Sequence, residues 1–146
     1  YQMKIKFNKI TDICIFVNDL EITKEFYIDK LNFEIRREGE EFVDFYSDDI
    51  TLAAWQKDHF KKNIKLNEKF CHNFSNNCIA IELKSPDDVD YYYNYLINKN
   101  VKFLNKPDNY EWNARCAYFY DPDKIIWELY SWLNGGVNKK HTIKKQ

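Results

Sequence analysis

Apolar and polar residues alternate along several short stretches of this chain, and the stretches between them repeat their apolar positions every three or four residues. From Ile10 to Val17, Asp12, Cys14 and Phe16 alternate with Ile13, Ile15 and Val17, the two-residue period of a strand with one fully aliphatic face. Asp19 then stands where an N-cap belongs, and Ile22, Phe26, Tyr27 and Leu31 mark the buried stripe of a helix of about three turns. Phe33 to Arg37, Glu41 to Tyr46 and Ile50 to Trp55 read as three further strands, divided by Glu38-Gly39-Glu40 and Ser47-Asp48-Asp49. Residues 57–76 break the rhythm. They are polar, rich in Lys and Asn, and read as a linker with room for a short helix, anchored by Phe60, Ile64, Leu66, Phe70 and Phe74.

From Cys78 the same order returns. Cys78 to Leu83 alternates as a strand, Ser85-Pro86-Asp87-Asp88 combines an N-cap with Pro at the first helical position, and Val89, Tyr92, Tyr93, Leu96 and Ile97 follow a helical stripe. Val101 to Leu104, Ala114 to Tyr120 and Ile125 to Tyr130 supply three more strands. The last two are joined at Asp121-Pro122-Asp123, where Pro presets φ and Asp side chains can bond nearby N–H groups. Shifting the first half by 66 positions lays Asp12 on Cys78, Asp19 on Ser85, Phe26 on Tyr92 and Leu31 on Ile97; at the last strands Ala53 falls on Glu128 and Trp55 on Tyr130. The expectation is an α+β fold: two tandem βαβββ modules, about 8–56 and 77–133, in a single domain spanning 1–134. They form a curved mixed sheet around a cleft, with the helices on the outer face and a flexible tail over 135–146.

Composition narrows the function. The chain has 146 residues, 45% hydrophobic and 18% aromatic, enough for a core. A net charge of −1 gives no reason to expect nucleic acid or an anionic membrane as partner, and no apolar run reaches the ~20 residues of a membrane span. Cys14, Cys71, Cys78 and Cys116 form no CxxC pair and are read as reduced thiols in a cytoplasmic protein. Glu128 stands out as a carboxylate within an otherwise apolar strand, where it needs a cation, a proton, a metal or water as partner.

Val17-Asn-Asp-Leu-Glu with Phe26-Tyr27 and Leu31-Asn-Phe33, and Tyr118-Phe-Tyr-Asp-Pro-Asp before Trp127-Glu-Leu129, resemble the glyoxalase/bleomycin-resistance/extradiol-dioxygenase (vicinal oxygen chelate) superfamily over residues 8–133. The resemblance implies metal-ligand positions at Asp12, Ala53, Cys78 and Glu128, of which only Glu128 is the usual type. Ala53 offers no donor, and His59, His72 and His141 fall in the linker and tail, where exposed loop positions are expected. Asp12, Cys78 and Glu128 could still hold a divalent ion (Zn, Ni, Mn or Fe), but a mixed set without imidazole is uncommon, so the expectation is a cleft that works without a metal.

The strand parity supplied by the resemblance turns Asp12, Cys14, Phe16, Trp55, Cys78, Glu82, Tyr118, Glu128 and Tyr130 inward, with Asp44 beside them and Trp112 near the entrance. An aromatic, acidic lining of this kind suits a planar cationic ligand. Two functions follow: a small-molecule binding or sequestering protein, dimeric as its family commonly is, or an enzyme. The enzyme would be a lyase, isomerase or dioxygenase using a metal with atypical ligands, or would use Glu128 as a metal-free base.

Overall fold

The computed structural model describes residues 4–66, 70, 75–136 and 142–143. Its strands are β1 (Asp12–Val17), β2 (Ile35–Glu38), β3 (Phe42–Phe45), β4 (Thr51–Gln56), β5 (Asn77–Glu82), β6 (Lys102–Phe103), β7 (Asp108–Tyr110), β8 (Ala114–Tyr120), β9 (Ile126–Trp132) and β10 (Thr142–Ile143). They form one mixed sheet in the order β10-β2-β3-β4-β1-β5-β9-β8-β6, with β7 added on β8. The two halves are arranged alike about the central antiparallel β1–β5 pair: β1 lies parallel to β4, and β5 parallel to β9. Both repeat offsets hold in the register. Asp12 pairs with Thr51 in one half as Cys78 pairs with Ile126 in the other, which makes Ala53 the counterpart of Glu128.

The hairpin read from Asp121-Pro122-Asp123 joins β8 to β9. Asp121 Oδ1 accepts from the backbone N–H groups of Asp123 and Ile125, and Lys124 takes a φ of 64° to close the turn.

Helix α1 (Leu20–Lys24) starts at Asp19, whose carboxylate accepts from Glu21 N and Ile22 N, and continues into a π-helical turn at Glu25–Lys30. A π turn bonds i to i+5, so the phase of the stripe slips. Leu20, Tyr27 and Ile28 pack on Val43, Phe45 and Ala54, while Ile22, Phe26 and Leu31, expected on the buried stripe, are 64%, 45% and 49% exposed. In the second half, α3 (Pro86–Asn98) is capped by Ser85 Oγ and lays Val89 and Leu96 on Ile81, Ala117 and Leu129. These two helices cover the outward face of the sheet.

The linker holds more structure than its polarity suggests. Strand β4 runs straight into α2 (Lys57–Ile64), which ends at Lys65 in the left-handed region, and α2 lies on the concave side of the sheet. Phe60 and Ile64 are fully buried against Phe16 and Tyr118, and Asn105 Nδ2 donates to the Ile64 carbonyl. Half of the concave face is thus filled by this helix; the other half stays open. Of the expected tail, Thr142 and Ile143 pair antiparallel with Glu38 and Arg37. No helix among the described residues is long and apolar enough to cross a membrane.

Candidate functional site

The open half of the concave face is a cavity of about 430 Å³. Small side chains make its floor: Cys14 from β1, Ala53 from β4, Cys78 and Ala80 from β5, and Ala114 from β8. Large ones make its walls. Trp55, Trp112, Trp132, Phe42 and Tyr130 rise around the floor, and Gly39, Glu40 and Glu41 of the β2–β3 turn form one rim. Trp112 is held in place by stacking on Tyr110 (centroids 4.6 Å apart, planes 13° apart) and by an edge contact with Trp55 at 5.3 Å. The tight turn that carries it closes through Asn113, whose φ is 64°.

Two carboxylates reach this cavity from strands two places apart. The register sets Asp12, Ala80 and Glu128 in one row across β1, β5 and β9, so the backbones bearing the acids stand roughly 10 Å apart with only a methyl group between. Tyr118, directly opposite Glu128 on β8, donates its hydroxyl to Glu128 Oε2. Asp12 Oδ2 accepts from Tyr130 Oη at 2.7 Å and from Thr11 Oγ1. Enclosure by protein pushes the Glu128 carboxyl up to about 7, opposed by the hydrogen bond from Tyr118 and reinforced by the negative charge of Asp12. What accessible surface Glu128 retains faces the cavity it lines. Burial likewise drives the Cys14, Cys78 and Cys116 thiols well above their ordinary range, with Glu128 adding to the effect. All three are free thiols; Cys71 lies outside the described residues.

The residues expected in the cleft separate into three groups. Asp12, Trp55, Cys78, Trp112 and Glu128 line the cavity together. Phe16 and Tyr118 face the same side but are roofed by α2, with Phe60 4.3 Å and 5.7 Å from their rings; Tyr118 reaches the cavity through its hydrogen bond to Glu128. Glu82, at the end of β5, is exposed and borders an adjoining polar recess shared with Lys9, Thr11 and Arg36. Asp44 is inward and wholly buried, yet it is no free acid: Arg36 grips it with Nε and Nη2 (3.2 and 2.8 Å) and Arg37 with Nε (2.7 Å). Outside the cavity, Arg115 forms a two-pronged pair with Asp90, 2.8 and 2.7 Å.

His59 corrects an expectation. Instead of an exposed loop position it sits on the first turns of α2, lines the cavity and keeps only 17% of its side chain exposed. Trp55 Nε1 donates to its Nδ1 at 2.8 Å, which leaves the proton on Nε2, 3.4 Å from Glu111 Oε1 and 4.0 Å from Glu41 Oε2. The signal was the four-residue spacing of Trp55 and His59, which matters only because β4 passes into α2 without a break. His72 and His141 lie outside the described residues.

The paired modules and the recess between them define a known class, and the chain belongs to the glyoxalase-like domain family, whose sequence model matches residues 10–134. It is 32% identical over 128 residues to the uncharacterized protein YraH of Bacillus subtilis (strain 168), covering 86% of this chain and 99% of that one. Among solved structures it resembles the hypothetical protein BH1468 from Bacillus halodurans C-125 (TM-score 0.62, 16% identity, 86% of this chain and 95% of that one). It also resembles the Mn(II)-bound glyoxalase from Novosphingobium aromaticivorans (TM-score 0.60, 18% identity, 93% of this chain and 42% of that one). At these identities the two structures speak for the fold alone.

The four positions that the resemblance marks for metal ligands hold Asp12, Ala53, Cys78 and Glu128. Ala53 supplies no donor atom, Asp12 Oδ2 and Glu128 Oε2 take hydrogen bonds from Tyr130 and Tyr118, and the intervening position is Ala80. Among the described residues no three His, Cys, Asp or Glu side chains are grouped to hold a metal ion. Asp12, Cys78 and Glu128 share this cavity.

Proposed function

We propose that this protein binds a planar small molecule through a protonated nitrogen, and that Glu128 is the group that receives it. The reading rests on one observation: a carboxylate at the bottom of a cavity walled by Trp55, Trp112, Trp132 and Tyr130, with a volume in the range of small-ligand sites. Aromatic faces attract a cation through their quadrupoles, and desolvation in such a site strengthens that attraction. Four carboxylates line the cavity, Asp12, Glu40, Glu41 and Glu128, against one guanidinium, Arg37, which already shares Asp44 with Arg36. A cation entering beside Glu128 favours its ionised form, offsetting the desolvation that raises its proton affinity. Cys78, Cys14 and the alanines leave room for the body of the ligand, and Trp112 closes over it from the β7–β8 turn.

Calorimetric titration with benzamidine and benzamide tests the reading, since the two share size and planarity and differ in charge. Benzamidine is expected to bind and benzamide not. Equal binding of both, or preference for the neutral amide, would overturn the assignment.

A further inference from the structure

The bulge in β2 places two consecutive arginines on one carboxylate. Ile35 pairs with Phe45 and Arg37 with Asp44, so Arg36 is the extra residue of the strand and both side chains turn to the same buried group. Asp44, with no accessible surface, can neutralise only one of them, and the trio carries a net positive charge. Arg36 is the more exposed partner; Arg37 retains 11% of its side chain, and that surface lies on the cavity. Its guanidinium lies over the Trp132 ring at 5.2 Å and gives Nε and Nη2 to Asp44, so the edge bearing Nη1 is not engaged by that carboxylate. Asp12, which lines both recesses with Arg37, takes its hydrogen bonds from Thr11 and Tyr130. Arg37 also borders the adjoining recess with Lys9 and Arg36, which places it at the junction of the two.

We propose that Arg37 is a second anchor of the cavity, specific for a carboxylate, so that the ligand is a planar compound with a protonated nitrogen at one end and a carboxylate at the other. The nitrogen end rests on the function proposed above; the carboxylate end rests on Arg37 alone. A guanidinium held flat by a ring and by a buried acid presents a fixed pair of N–H directions, the geometry that recognises a carboxylate. Asp44 holds and orients Arg37, and Arg36 supplies the surplus charge that keeps Arg37 from being cancelled.

Benzamidine, 4-amidinobenzoate and benzoate, titrated calorimetrically into the wild-type protein and into R37M, R37K and R36M, test the proposal. In the wild type 4-amidinobenzoate is expected to bind at least about tenfold more tightly than benzamidine, the gain of one charge-assisted contact. That ratio falls to about one in R37M, is only partly kept in R37K, which has charge without the fork, and is reduced but not abolished in R36M, which removes the surplus charge and leaves the fork. R37M leaves Asp44 in the two-pronged grip of Arg36, and an unchanged circular dichroism spectrum verifies its fold. Equal affinities in the wild type, or a ratio that survives R37M, overturns the Arg37 anchor and leaves the nitrogen site standing. Benzoate binding lost in R37M, with no binding of benzamidine, does the reverse. No binding of any probe overturns both.

Discussion

Replacing Glu128 by Gln tests whether the carboxyl group is enclosed as the geometry requires. Folded Glu128 holds its proton to about pH 7, whereas its ordinary value is 4.5. Between these values the folded chain carries one proton more than the unfolded chain, so raising the pH favours unfolding. The sign follows: this stability is fully present below the unfolded value of 4.5 and is lost as the pH rises through 7. At about 1.4 kcal/mol per pH unit the whole effect is about 3 kcal/mol, most of which is lost between pH 5 and pH 8. E128Q cannot titrate, and its amide oxygen can still accept from Tyr118. Any cost of burying the amide N–H₂ is the same at every pH and drops out of the slope. Urea denaturation of both proteins from pH 5 to pH 8 is therefore expected to show E128Q gaining about 2–3 kcal/mol on the wild type across that interval. Parallel stability curves would refute the reasoning, because they would mean that Glu128 ionises equally freely in the folded and unfolded chain.

Further outcomes follow from packing and charge. Asp44→Ala leaves two arginines facing an empty buried site and is expected to cost about 3–5 kcal/mol in denaturant unfolding, well above the loss in R36M, where Arg37 keeps the acid paired. Phe60→Ala is expected to cost about 3–5 kcal/mol, since the ring is fully buried 4.3 Å from Phe16 and 5.2 Å from Trp55; a cost below about 1 kcal/mol would show α2 to be peripheral. Trp112→Ala removes one wall and is expected to weaken benzamidine binding by about three- to tenfold in calorimetry, the worth of one aromatic face over a cation.

Strand parity was the most legible property of the sequence. Alternation put Cys14, Ala53, Cys78 and Glu128 on one face, and the 66-residue offset aligned the modules, because a period of two leaves no freedom once one face is buried. What escaped were departures from that period. The bulge at Arg36 turns adjacent residues to one side, which alternation forbids, so the arginines that neutralise Asp44 were missed. The π turn at Glu25–Lys30 shifted Phe26 and Leu31 to the surface. Strand β7, Asp108–Tyr110, has no apolar alternation to betray it. Segment 57–66 looked like linker because its apolar residues are sparse, yet Phe60 and Ile64 are four apart and fall on one helical face. That face made α2 part of the core and brought His59 to the cavity.

The affinity of benzamidine for the wild type and for E128Q, measured at pH 6, 7 and 8, bears most directly on a carboxylate that receives the ligand's cation. With Glu128 titrating at about 7, wild-type affinity is expected to rise about tenfold from pH 6 to pH 8, while E128Q binds weakly at every pH. A flat profile in the wild type, or equal affinity in E128Q, would contradict it.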